Sequence, residues 1–254
     1  MTQISNLIKN PHLDGGPFTL DGGRVGILLV HGFTATTAEV RPFAERLHTK
    51  GYTISAPLLP GHNTYPKDIN HYTWRDWLTS VEVAYSELTK RCDQIFLGGE
   101  SAGGLLALYL GIYHPEITGL LTFAPALQLN MRPRDIFRLY LAAPFIPYIY
   151  KQGKEDDLPW KGYIVFPLKG SIQVLRLQRR ILPRLADIRR PILIVQGRLD
   201  ETVRPEVPEM IYNKVSSTIK EVHWMENSHH CVVLDHELDQ VAATTIQFIE
   251  RVLF

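Results

Sequence analysis

The chain of 254 residues is 45% hydrophobic and 21% charged, the balance of a soluble α/β domain with one insertion rather than of two separate cores. Its formal charge of +1 leaves no electrostatic footprint for nucleic acid, and its two cysteines, Cys92 and Cys231, are too few for a disulfide framework. The N-terminus has no apolar signal segment, and the longest mostly apolar stretch, Leu139 to Tyr150, is short and broken by Pro144 and Pro147. A soluble, cytoplasmic protein with no integral membrane association is expected, its two thiols free.

In chain order, Val25 to Val30 (VGILLV) reads as a fully buried strand that ends in His31-Gly32-Phe33. Thr36 or Thr37 is placed to cap a helix with Glu39 in its first turn and Pro42 near its start, and Gly51 stops that helix. Tyr52 to Ala56 is a second strand, and Pro57 to His71 is a loop. Trp74, Trp77, Leu78, Val81, Tyr85 and Leu88 recur at helical spacing and are read as core. Ile95 to Leu97 is a third apolar run, bounded by Gly98 and Gly99, and Ala102 to about Tyr113 is a helix apolar nearly all round. Gly119 to Phe123, Pro191 to Gly197 and Ile219 to Trp224 complete the strands. Helices follow Pro205 and span Glu237 to Leu253. Continuous apolar strands alternating with helices predict a mostly parallel sheet covered on both faces, with its site beyond the carboxyl ends of the strands.

Residues 124–188 break this alternation. They hold no clear sheet strand but many aromatics, arginines and prolines. An insertion leaving the C-terminal edge of a strand would sit over the site, so a core of residues 1–123 and 189–254 with a cap at 124–188 is expected. Its aromatics, Tyr140 and Phe145 among them, would line an apolar tunnel. The alternative is that Leu139 to Tyr150 docks on lipid.

The chemistry centres on Gly99-Glu100-Ser101-Ala102-Gly103, a G-x-S-x-G turn between strand and helix that aims a serine outward. Serine is a weak nucleophile at neutral pH and needs a base and an acid that fixes the tautomer of that base. Asp200 follows the Pro191 to Gly197 strand and His229-His230 follow the last strand, giving the order Ser101, Asp200, His230 at one sheet edge. Glu201 competes with Asp200 as the acid. The N–H of Ala102, at a helix start, supplies one oxyanion donor, and each such donor is worth ~3–4 kcal/mol. His31, His62, His229, His230 and Cys231 lack any metal-binding spacing, so neither metal nor cofactor is expected.

These motifs, His31-Gly32-Phe33-Thr34 with Arg41-Pro42, Pro60-Gly61-His62, Thr73-Trp74-Arg75-Asp76-Trp77, Gly99 to Gly104, Gly197 to Asp200, Asn227 to His230 and Leu234-Asp235, cover most of the chain outside the cap. In them the chain resembles the α/β-hydrolase superfamily, and more narrowly the bacterial carboxylesterases and monoacylglycerol lipases with a small cap. The resemblance implies an α/β-hydrolase fold and cofactor-independent hydrolysis of short- to medium-chain acyl esters, including monoacylglycerols. It selects His230 as the base, four residues before Leu234-Asp235, and Phe33 as the second oxyanion donor. Phe33, Glu100, His229, Tyr140 and Phe145 are the candidate substrate contacts; many relatives carry Leu at the position of Glu100, and Gly or an aromatic at that of His229. Expected partners are small-molecule esters, with the chain a monomer or homodimer. A thioesterase or acyltransferase with the same acyl-enzyme, and a ligand receptor on a hydrolase fold, are the competing functions.

Overall fold

The computed structural model describes residues 5–151 and 158–254. Its strands in chain order are β1 (Ile8–Lys9), β2 (Phe18–Leu20), β3 (Val25–Val30), β4 (Thr53–Ala56), β5 (Gln94–Glu100), β6 (Gly119–Phe123), β7 (Tyr148–Tyr150), β8 (Gly162–Tyr163), β9 (Val165–Pro167), β10 (Ile192–Gly197) and β11 (Lys220–Met225). The helices are α1 (Arg41–His48), α2 (Trp74–Thr89), α3 (Ala102–Tyr113), α4 (Pro133–Ala142), α5 (Leu168–Ile181), α6 (Val207–Lys214) and α7 (Leu238–Leu253). Seven strands form one sheet in the order β11-β10-β6-β5-β3-β4-β2, parallel except for β2 at its edge.

The two faces of this sheet are sorted by the period of two in the strands. Leu28 and Val30 of β3 join α2, α3 and α6 in one core, while Ile27 and Leu29 join α1 and α7 in the other. Both faces are therefore covered, which is why VGILLV is apolar throughout rather than alternating. α3 lies inside the larger core with no polar face to spare.

Strand order reverses between β3 and β5, whose ends lie level, Val30 opposite Gly99. A crevice at such a reversal is where a doubly wound sheet places its site. The loop after β3 and the turn after β5 thus stand side by side at the carboxyl edge.

Two local expectations change. The helix expected after Thr36 or Thr37 is a three-ten turn, Thr37–Glu39, followed by α1, whose N-cap is Val40 without a side-chain bond. Both threonine hydroxyls are committed elsewhere: Thr36 Oγ1 donates to the Lys161 carbonyl and Thr37 Oγ1 to that of Gly16. Among the described residues of the 124–188 segment none joins the large sheet, yet three short strands form there. β7 pairs with β9, and β8 pairs with β1. Pairs this short are sustained by packing rather than by their own length. Residues 152–157 of the expected cap lie outside the described residues.

Candidate active site

Ser101 occupies the turn between β5 and α3 with φ 55° and ψ −110°, a left-handed conformation that costs a non-glycine residue strain. The glycines around it make the turn possible. A Cβ on Gly99 would stand 2.3 Å from the Gly103 carbonyl carbon, and one on Gly103 would stand 2.1 Å from the Val30 carbonyl oxygen.

Three loops bring the polar groups together. The Ser101 hydroxyl donates to His230 Nε2 at 2.9 Å, and His230 Nδ1–H donates to Asp200 Oδ2 at 2.8 Å. Asp200 Oδ1 accepts the N–H groups of Thr202 at 2.7 Å and Val203 at 3.1 Å, and Gln196 Nε2 also donates to Oδ2. Burial pushes the Asp200 carboxyl up, but His230 and these N–H groups outweigh it and hold the group below its ordinary value. Asp200 is therefore a carboxylate, its partners fixing one imidazole tautomer. Glu201, its neighbour, is exposed, and it is Asp200 that His230 Nδ1 bonds.

The loop after β3 is fastened on every side. Thr34, at φ 69°, donates its N–H to His62 Nε2, and its carbonyl accepts Tyr163 N–H at 2.8 Å. Lys151 Nζ donates to Thr34 Oγ1 at 2.7 Å, so the insertion grips this loop directly. His31 Nδ1–H donates to the Gly32 carbonyl and Nε2 accepts Leu59 N–H at 3.1 Å. Both rings need to be neutral for these roles. Burial does this, lowering His31 to about 4, and burial with the nearby His31 takes His62 well below its ordinary value. Within this loop Gly32 N–H is taken by Glu39 Oε2, whereas Phe33 N–H and Ala102 N–H have no acceptor among the described residues. Two free N–H groups flank Ser101, one of them at a helix N-terminus that favours developing negative charge.

Fold and nucleophile turn together define an α/β hydrolase. The chain belongs to the alpha/beta hydrolase family, whose model matches residues 27–244. It is 35% identical over 247 residues to a thermostable monoacylglycerol lipase of Bacillus sp. (strain H-257), covering 95% of this chain and 97% of that one. It is 29% identical over 239 residues to a carboxylesterase of Bacillus subtilis (strain 168), covering 92% and 96%. A solved structure from LipS and LipT, two metagenome-derived lipolytic enzymes, superposes with a TM-score of 0.87 at 30% identity, covering 93% of this chain and 98% of that one.

The candidate substrate contacts fare unevenly. Phe33 packs its ring between Trp77, His62 and Gly170 of α5, beside the serine turn. Glu100 does not face a pocket: it is wholly buried, with Oε2 3.4 Å from Val233 N–H and Oε1 without a partner among the described residues. His229 turns out to solvent, its side chain 62% exposed and its ring on Asp235 Oδ2 at 3.2 Å. Tyr140 packs within the small apolar cluster of α4 and α5, under Arg179. Phe145 is 86% exposed and Phe137 65%, so these aromatics line no tunnel. A pocket of about 240 Å³ beside α4 and α5 has a mixed lining, with Met131, Ile136 and Leu175 facing Gln178, Arg179 and Arg204. Gln196 and Glu39 are site residues that the sequence reading did not single out.

Proposed function

We propose that the protein hydrolyses carboxylic esters through an acyl-enzyme on Ser101, with His230 as general base and acid and Asp200 as the group that orients it. The observation that carries this reading is His230 spanning Ser101 Oγ and Asp200 Oδ2 at 2.9 and 2.8 Å. Ser101 Oγ attacks the ester carbonyl as its proton passes to His230 Nε2, and the oxyanion forms against Phe33 N–H and Ala102 N–H. Collapse breaks the acyl–oxygen bond, and the alcohol leaves with the proton from His230. Water, deprotonated by the same ring, then attacks the acyl carbon and releases the carboxylic acid and Ser101.

The curated relatives named above, a monoacylglycerol lipase and a carboxylesterase, support acyl esters and monoacylglycerols as substrates. In this reading residues 124–188 are a cap that closes over Ser101, and the chain works in the cytoplasm as a monomer or homodimer without cofactor. A panel of p-nitrophenyl esters, monoacylglycerols and acyl thioesters of increasing chain length tests it. Ester turnover that rises with chain length and then falls, and that is abolished in Ser101→Ala, is expected. Turnover confined to thioesters, or one slow turnover with retained ligand, would contradict it.

One observation favours a second reading of the cap. Phe137, Leu141 and Phe145 present an exposed apolar face with Arg134 and Arg138 alongside, as a segment that meets a lipid surface does. A sharp rate increase as monoacylglycerol passes its aggregation threshold would support interfacial action; a smooth saturation curve would support the closed cap.

A further inference from the structure

Two carboxyl groups are buried behind the Ser101 turn, and the hydrolytic steps above use neither. Glu39 is 4% exposed and Glu100 is 0% exposed. A buried acid is costly unless its oxygens are paired, so the pairing of each reveals its use. Glu100 has one oxygen unpartnered among the described residues and one at a long 3.4 Å from Val233 N–H. Glu39 is bound at both ends. Its Oε2 accepts Gly32 N–H at 2.6 Å, and its Oε1 faces the Cys231 thiol at 3.7 Å.

The two partners are far apart in sequence but each adjoins a working group. Gly32 precedes Phe33, whose N–H is an oxyanion donor in the reading above, and Cys231 follows His230. Gly32 also lies against the nucleophile: a Cβ there would be 3.1 Å from Glu39 Oε2 and 3.4 Å from Ser101 Cβ. The bond to Glu39 draws the Gly32 N–H inward, while the next N–H along the loop stays free for substrate.

We propose that Glu39 is a positioning residue for hydrolysis, its buried side chain tying Gly32 to Cys231 so that Phe33 N–H and the His230 ring are held at one spacing over Ser101. The inference rests on the Ser101, His230 and Asp200 reading given above. The groups facing Glu39 are Glu100 from β5, His230 and Cys231 from the loop after β11, and Lys151 from the insertion. Burial is the largest cause at both carboxyls and leaves both raised, but the Gly32 N–H, His230, Lys151 and the thiol oppose that rise at Glu39, whereas Glu39 and Asp200 add to it at Glu100. Of the pair, Glu39 is the one that ionises more readily.

Three variants separate positioning from mere packing. Glu39→Gln keeps an oxygen acceptor for Gly32, Glu39→Asp withdraws the carboxyl by one methylene, and Glu39→Leu removes the acceptor. Turnover of a p-nitrophenyl ester is measured per active site, counted by stoichiometric phosphonate labelling, so that loss of folded protein does not register as loss of rate. Displacing an oxyanion donor without deleting it predicts a fall in per-site kcat of about tenfold to a hundredfold in Glu39→Leu, with KM within about twofold. The rate of phosphonate labelling should fall in parallel, and Glu39→Gln should stay within roughly fivefold of the parent. If Glu39→Leu does not fold, Glu39→Asp decides: a per-site kcat at least about fivefold lower with KM unchanged supports the inference. Wild-type per-site kcat in Glu39→Leu or Glu39→Asp, whatever the melting temperature, overturns it, as do equal losses in the Gln and Leu variants. Ser101→Ala serves as the control: activity there would instead refute the nucleophile, whereas an inactive Ser101→Ala beside fully active Glu39 variants would refute Glu39 alone.

Discussion

Replacing each of two adjacent histidines in turn should have effects that differ by orders of magnitude. His230→Ala removes the acceptor of the Ser101 proton at 2.9 Å and the donor to Asp200 at 2.8 Å, leaving a buried carboxylate with the Thr202 and Val203 N–H groups and the Gln196 amide. Loss of such a base lowers kcat by about four to six orders of magnitude, or ~5–8 kcal/mol of transition-state stabilisation. His229→Gly removes a ring that is 62% exposed and 3.2 Å from Asp235. Asp235 keeps the N–H groups of residues 229 and 236, at 2.6 and 2.7 Å. The Asp235 carboxylate is buried but keeps these two N–H groups, so an imidazole this exposed adds ~0–1 kcal/mol, and the added glycine freedom costs ~0.5–1 kcal/mol, all of it in stability rather than rate. The assay is initial-rate hydrolysis of a short p-nitrophenyl ester, with melting followed by circular dichroism. His229→Gly is expected to melt a few degrees lower, with kcat/KM within about threefold of the parent. Comparable rate losses in the two variants, or a His230→Ala enzyme retaining more than about one per cent of kcat, would refute the assignment of the base.

Two further outcomes follow from the packing. Gly103→Ala should lower the melting temperature by several degrees and reduce activity, because its Cβ would press on the Val30 carbonyl, which no rotamer change relieves, at a cost of ~1–3 kcal/mol; an unchanged melt would contradict the close approach of α3 to β3. Glu100→Gln should change how stability depends on pH. The folded-state pKa of Glu100 is raised, so the folded protein holds a proton that the unfolded chain releases near 4.5, and stability falls as pH rises from there through the folded value. Removing the acid should flatten that fall, so that in urea titrations the variant gains on the parent as pH increases. A constant difference between the two across neutral and alkaline pH would contradict the buried protonated carboxyl.

Much of this architecture is legible in the sequence because burial on both faces leaves an unambiguous pattern. Val25–Val30 and Gly119–Phe123 are apolar runs bounded by turn residues, and their ends in the structure coincide with the sequence pattern. Ser101 is legible through Gly99 and Gly103, since a Cβ at either would stand only 2.3 or 2.1 Å from neighbouring backbone atoms. Glu39 is not legible. An acid just before an amphipathic helix reads as a solvated first-turn residue, and its burial depends on Gly32 and Cys231, which only the folded chain brings to it. The cap misleads for a different reason. Aromatic content signals burial on average, but Phe137 and Phe145 lie outward, and no periodicity tells an outward apolar face from an inward one. Glu100, a candidate substrate contact in the sequence, has its carboxyl against Val233 N–H in the folded chain, a contact that no local pattern announces.

The central claim is that Ser101 is the atom source of the acyl-enzyme. Incubation with a p-nitrophenyl phosphonate, followed by peptide mass spectrometry, tests it most directly. The account predicts one phosphonyl group per chain, on the peptide carrying Gly99-Glu100-Ser101-Ala102-Gly103, with no labelling in Ser101→Ala and very slow labelling in His230→Ala. Stoichiometric labelling of any other residue, with ester hydrolysis lost in step, would contradict it.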